Sequence, residues 1–186
     1  SHKNDFLGIG HYQIGSIAVR ILSFTPKQID LNFFIERIQE AYLLRKSLLI
    51  ENDCNNTFRL IHGEGDMLAG LIIDIYGSLA IVQAHSVGMH FSRELIAQAI
   101  EKVLGAKIKH VYYKSENTLP FKAQIESSNQ FLLGGPYIEK FAIENNLQFR
   151  IDWEKGQKTG FFIDQRENRE LLAHYSSKRR VLNMFC

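Results

Sequence analysis

The sequence predicts an α+β fold: a central mixed or antiparallel sheet with two packing helices, leading into the first helix and strand of a doubly wound α/β unit. Three observations predict it. Between residues 57 and 152, short apolar runs bounded by turn residues recur, with one helical pattern among them. Two stretches, 31–49 and 91–104, place apolar residues at three-to-four spacing, the period of an amphipathic helix. After Trp153 the texture changes to a polar, glycine-bearing loop, a short helical pattern and an apolar run, the order in which many cofactor-binding α/β domains begin.

Each element follows from its own residues. Ser1–Asp5 is polar and carries no pattern. Phe6–Tyr12 and Ile17–Phe24 read as two strands about Gly15-Ser16, with Ile17, Val19 and Ile21 alternating. A lone hairpin is marginal, so residues 1–25 are expected to be the end of a domain that starts upstream. Pro26 closes this unit, and Asp30 is placed to cap a helix from Leu31 to about Leu49. Leu31, Phe34, Ile38, Ala41, Tyr42 and Leu48 form its inward face. Asn52–Asn56 is a turn cluster. Phe58–His62 and Leu71–Tyr76 read as strands flanking Gly63–Gly70, and Gly77-Ser78 turns into a third strand, Leu79–Ala84. Phe91–Leu104 is the second helix, with Leu95, Ile96, Ala99, Ile100 and Val103 inward and Gly105 as its stop. Lys109–Tyr113 is a further strand, and Ser115–Gly135 is polar enough to predict loops or an irregular edge. Tyr137–Glu144 and Leu147–Asp152 form a hairpin across Asn145-Asn146, a pair that tolerates positive φ. The central α+β domain is thus placed at 26–152 and a third unit at 153–186.

In that third unit Asp164 is expected to cap a helix starting at Gln165, with Glu167 completing a capping-box-like pair. Leu171, Leu172 and Tyr175 supply an apolar stripe, and the helix N-terminus presents free amides beside Lys158, Thr159 and Gln165. Val181, Leu182, Met184 and Phe185 read as a strand buried on both faces of a parallel sheet. A ligand would lie beyond the carboxyl end of such a strand. From the residues alone, a plain loop with a solvated Lys178-Arg179-Arg180 run accounts for this segment equally well. Gly-Gln-Lys-Thr is not a phosphate-binding P-loop, because Gln157 and Asp152 stand where that motif needs glycines.

Composition narrows the function classes. The net charge is only +2, which permits a nucleic-acid partner without arguing for one. No apolar run approaches the ~20 residues that span a bilayer. The two cysteines, Cys54 and Cys186, have no pairing pattern, and a reduced, cytosolic setting is the simplest reading. His62-Gly-Glu-Gly-Asp66 reads as a polar loop rather than a metal site, and His85 and His90 as capping or surface groups. Tyr112, Tyr113, Phe121 and Phe131, near Lys109, Lys114 and Lys122, are candidates either for stacking RNA or for core packing.

Five stretches together resemble a known family. They are Gly156-Gln-Lys-Thr-Gly-Phe-Phe-Ile-Asp-Gln-Arg-Glu-Asn-Arg169 with Arg180–Cys186, then Arg59–Asp66, Gly70–Gly77 and Ile17–Phe24. Across nearly the whole chain they are similar to bacterial S-adenosylmethionine-dependent ribosomal RNA methyltransferases of the large-subunit cytosine-C5 type. The resemblance implies an RNA-binding PUA domain ending near residue 25, a central domain, and a Rossmann-like methyltransferase domain of which 153–186 is the start. It implies S-adenosylmethionine as cofactor, ribosomal RNA as partner, a cytoplasmic location and no membrane association. Lys158, Thr159, Phe161, Phe162, Asp164 and Gln165 match the family segment beside the cofactor pocket, and Arg166, Asn168 and Arg169 the helix start behind it.

The glycine-rich turn, the acidic residue for the ribose, the Pro-Pro motif and the nucleophilic cysteine of that family are expected downstream of residue 186. No catalytic residue is therefore assigned within the chain. Cys54 and Cys186 read as structural, and the fragment is expected to be inactive and to bind cofactor weakly or not at all. A guanine-nitrogen methyltransferase and a non-catalytic RNA-binding module stand as alternatives. An open apolar edge at 181–186 makes a homodimer one of the possible oligomeric states.

Overall fold

A computed structural model describes residues 5–15, 17–136 and 141–184. Its centre is a five-stranded sheet of β3 (Thr57–His62), β4 (Leu71–Tyr76), β5 (Leu79–Ala84), β6 (His110–Tyr113) and β7 (Gln130–Leu133), in that spatial order. β5 and β6 run parallel and every other neighbouring pair antiparallel, so the sheet is mixed, as expected. The crossover between the parallel strands holds the helices α2 (Val87–Phe91) and α3 (Arg93–Leu104). α1 (Leu31–Ser47) packs beside α3 on one face of the sheet, and Phe34, Ile38, Leu60, Ile73, Val82, Ile96 and Ile100 close the main core between them.

Local chemistry explains the helix starts. The Asp30 side chain accepts a 3.0 Å hydrogen bond from the Phe33 amide, the predicted cap. Phe33, rather than Leu48, completes the buried face of α1; Leu48 sits beyond the last turn at 61% exposure. The second helix begins earlier than its apolar periodicity suggests, because Ser86 caps Val87–Phe91 and the chain breaks at Ser92 before α3.

Two small antiparallel pairs flank the sheet. β1 (Ile9–Tyr12) pairs with β2 (Val19–Ser23), near the predicted bounds. β8 (Phe141–Glu144) pairs with β9 (Leu147–Arg150) across Asn145 and Asn146, whose φ values of 50° and 62° are those of a tight hairpin turn. Positions 137–140 of the predicted first strand, and Ser16 of the first turn, lie outside the described residues.

The polar stretch 115–135 supplies the irregular edge expected of it, as strand β7 with a register shift against β6. Three expectations change. Gly63–Asp66 winds into a 3-10 turn, with the Asp66 carboxylate taking 2.5 and 2.7 Å bonds from Arg45 and one from the His62 amide. Asp164 does not cap the final helix: a 3-10 turn at Ile163–Gln165 precedes α4 (Arg166–Ser176), and no side-chain cap bond forms. Val181–Met184 is not a strand but exposed irregular chain, since no described strand lies alongside to take its backbone bonds. Phe185 and Cys186 lie outside the described residues. The stripe Leu171, Leu172 and Tyr175 on α4 is likewise exposed.

Among the described residues no helix is long and apolar enough to cross a membrane.

Candidate functional site

The chain after β9 folds back over the sheet face opposite α1 and α3. Trp153 anchors it at 2% exposure, edge-on to Tyr112 at 4.7 Å and Phe131 at 5.7 Å. Beyond this anchor the loop 154–162 is held by side chains rising from the strands. Gln83 Nε2 donates to the Lys158 carbonyl at 3.1 Å, and Lys114 Nζ donates to the Gly156 carbonyl at 2.6 Å. Burial at that contact lowers the Lys114 pKa. The Gly160 amide donates to the Gln157 carbonyl at 2.8 Å, closing the loop on itself. Gly160 has φ of 109°, and a Cβ there would lie 2.6 Å from the Asp152 carbonyl oxygen, so the close crossing requires glycine.

The strongest tie runs through the middle of β4. Thr159 Oγ1 donates to Asp74 Oδ2 at 2.7 Å, and Tyr76 Oη stands 2.9 Å from the same hydroxyl. Asp74 and Thr159 have no solvent exposure. The buried carboxylate is balanced by Arg59, which donates from Nε at 2.8 Å and Nη2 at 3.0 Å in a two-pronged pair. Burial, then the Asp74 charge, drives the Tyr76 hydroxyl far above its ordinary value, so it stays protonated.

The structure divides the predicted cofactor residues into two groups. Thr159 and Phe161 turn inward: Phe161 lies 5.2 Å from Phe149, and the Arg169 guanidinium covers its ring at 4.3 Å. Lys158, Phe162, Asp164 and Gln165 reach solvent on one lip, with Lys158 Nζ 5.0 Å above the Phe162 ring. Behind them Arg166 and Arg169 converge on Glu144, a carboxylate only 2% exposed, and tie α4 to the β8–β9 hairpin. Arg166 also donates to the Thr57 carbonyl.

Sequence reading missed Arg59, Asp74, Gln83 and Lys114 as parts of the site. The only local signals were single polar residues inside apolar strands, Asp74 in Leu-Ile-Ile-Asp-Ile-Tyr and Gln83 in Leu-Ala-Ile-Val-Gln-Ala. The aromatic stacking platform does not form. Tyr113 is fully buried and bonded to His90 Nδ1 at 2.7 Å, while Tyr112 and Phe131 pack on Trp153; only Phe121 stands free, at 96% exposure.

Two cavities open on either side of the pinned loop. One, of about 420 Å³, is lined by Arg20, Arg59, Glu64 and Gly70. The other, of about 440 Å³, is lined by Lys114, Asn117, Asn129 and Lys155. Gln83, His85 and Lys158 belong to both walls. They lie past the carboxyl ends of the parallel strands β5 and β6, the edge where open α/β sheets place their ligands.

A profile of S-adenosylmethionine-dependent methyltransferases matches residues 59–186, more than half of the chain, and the protein belongs to that family. Among its relatives, ribosomal RNA large subunit methyltransferase I of Alteromonas mediterranea is 38% identical over 185 residues, covering 98% of this chain and 46% of that protein. The protein of the same name from Pseudoalteromonas atlantica is 36% identical over 189 residues, covering all of this chain and 47% of the relative. The chain therefore spans about half the length of the curated relatives it matches. A proposed SAM-dependent methyltransferase from Streptococcus mutans shares the fold, with a TM-score of 0.73 at 22% identity over 89% of this chain and 42% of that one. A second solved methyltransferase-like chain, complexed with SAH, superposes with a TM-score of 0.74 at 23% identity over 89% of this chain and 41% of its own length.

Proposed function

We propose that this chain is part of a cytosolic enzyme that methylates large-subunit ribosomal RNA, with carbon five of a cytosine as the target. The observation that carries the rRNA methyltransferase reading is the family match over 59–186 together with relatives named as large-subunit ribosomal RNA methyltransferases; the carbon-five target rests on the sequence resemblance. In this reading residues 1–25 end a PUA-like RNA-binding domain, 26–152 form the central domain and 153–186 begin the methyltransferase domain.

The exposed lip suits one wall of the cofactor site. S-adenosylmethionine offers a carboxylate, ribose hydroxyls and a purine face, and the lip offers an ammonium at Lys158, a carboxylate at Asp164, an amide at Gln165 and a ring at Phe162. When bound, the cofactor supplies an electrophilic methyl group on sulfonium sulfur. Asp164 and Gln165 would hold hydroxyls and Phe162 would shield one face from water, while the Lys158 ammonium lies at the edge between this lip and the cavities beside it. Thr159 and Phe161 keep this lip in register, through Asp74 and Arg169 respectively.

Addition of a thiolate to carbon six of the pyrimidine is the activation that carbon-five methylation needs. Cys54 is not suited to it, being exposed in the Asn52–Asn55 turn and lining neither cavity. In this reading no residue of the described chain serves as the nucleophile, and the 186-residue chain by itself is expected to be inactive. A guanine-nitrogen methyltransferase is the second reading, as it requires no cysteine.

The test is to express the gene with its natural flanking sequence and incubate it with unmodified large-subunit RNA and methyl-labelled cofactor. Label in 5-methylcytidine supports the proposal. Label in a methylguanosine selects the second reading, and no label in RNA rejects both.

A further inference from the structure

We infer that the two cavities form one groove for a two-nucleotide step of single-stranded RNA, with the connecting phosphodiester held over His85 and Lys158. The inference rests on the RNA-substrate reading above and names where this chain contacts that substrate.

The geometry points to a step rather than a single ligand. Each cavity, at about 420 and 440 Å³, has room for one nucleotide, and the walls they share are Gln83, His85 and Lys158. The shared ridge carries an ammonium and an imidazole, which suits a phosphate; Gln83 is already spent on the Lys158 carbonyl. The two chambers differ in chemistry. The first is lined by Gly63, Gly70, Leu71 and Ile72 together with Arg20, an apolar and glycine wall on which a base can lie flat. Arg20 Nε is buried without a hydrogen-bond partner, while its Nη1 meets only Glu64, itself 69% exposed. Such a surface pair yields readily to a phosphate or a base edge. The second chamber is lined with Asn117, Asn129 and Thr118; Asn129 is held by Glu116 at both ends of its amide and Thr118 donates to the Ala84 carbonyl, which leaves the Asn117 amide to read a base edge. Single-stranded RNA is favoured over duplex because the groove is interrupted by the 154–160 loop, and only splayed bases can enter both sides.

The carboxylates Glu64, Glu116 and Glu154 also face this groove, against Arg20, Arg59, Lys114, Lys155 and Lys158. Arg59 and Lys114 are engaged with Asp74 and the Gly156 carbonyl, which leaves Arg20, Lys155 and Lys158 for the RNA backbone.

The experiment is fluorescence anisotropy of a labelled single-stranded oligoribonucleotide titrated with the 186-residue chain across a salt series. Variants are Arg20→Gln with His85→Gln, and Lys27→Gln on the outer face as control. The expected result is at least tenfold weaker binding by the double variant, a shallower salt dependence by about one unit of slope, and an unchanged control. A dinucleotide should compete better than a mononucleotide at equal concentration. RNA binding that is indifferent to the double substitution overturns this groove while leaving the rRNA reading standing. Equal competition by a mononucleotide overturns the two-nucleotide step. No RNA binding by the unmodified chain overturns the inference and counts against the rRNA reading as well.

Discussion

Thr159 Oγ1 lies 2.7 Å from Asp74 Oδ2, joining the final loop to a strand 85 positions earlier. Through it the lip that carries Lys158 and Phe162 is keyed to the centre of the sheet. Asp74 completes its shell with Arg59, so one buried carboxylate orders both a loop and a groove-lining guanidinium.

Replacing Thr159 by Val removes the hydroxyl and leaves a buried carboxylate oxygen short of a partner. A loss of about 1–3 kcal/mol is expected, read from urea unfolding monitored by the fluorescence of Trp153, the sole tryptophan. Thr159→Ser keeps the hydroxyl and gives up one buried methyl, about 0.8 kcal/mol. Equal losses for the two variants would show that the hydrogen bond does not matter.

Arg59→Leu strands the Asp74 charge in the sheet. Breaking a buried pair from one side destabilises by about 3–5 kcal/mol. The double variant Arg59→Leu, Asp74→Leu should recover most of it, since the unpaired charge is gone. Additive losses in that pair would contradict the account.

Glu144→Gln should free α4 with little effect on the sheet. α4 buries none of its residues and is held through Arg166 and Arg169 on Glu144. Hydrogen exchange is expected to speed up across 166–176 while β4 and β5 stay protected. Uniform loss of protection would mean that the ion cluster supports the whole fold.

Gly160→Ala forces a Cβ to within 2.6 Å of the Asp152 carbonyl at a φ of 109°. A strain of about 1–3 kcal/mol is expected, with a lower melting temperature and weaker cofactor binding by calorimetry on the protein expressed with its natural flanks. A variant with unaltered melting and binding would show that the crossing is loose.

Stability should fall on both sides of a neutral plateau. Burial lowers the pKa of His11, His85 and His90 below 6.5, so below that pH the unfolded chain takes up protons that the folded chain refuses. At His85 the Arg59 charge adds to the effect, and the Glu64 carboxylate opposes it. Burial raises Tyr76 and Tyr113 above 10.0, so above that pH the unfolded chain releases protons that the folded chain keeps. Unfolding free energy should therefore decline below about pH 6.5 and above about pH 10. His90→Asn should flatten part of the acid limb.

Much of the fold was legible because it rests on local rules. Asp30 caps α1 with its own side chain three residues ahead, Asn145-Asn146 sets the β8–β9 turn through φ, and Ile96 with Ile100 marks a helix face by spacing. The lip Lys158–Gln165 was visible as a dense polar, glycine-bearing segment. Its inner logic was not. Whether Thr159 or Phe161 faces solvent depends on Asp74, Phe149 and Arg169, and whether Val181–Met184 pairs as a strand depends on a neighbour to bond with. The sequence by itself determined where the helices and turns form, since those signals act within a few residues. Only the tertiary structure decided which polar groups meet in the sheet and how the groove is charged. Burial is what selects those partners: once Asp74 is removed from water it must be matched by Arg59 and Thr159, however far away they stand in the chain.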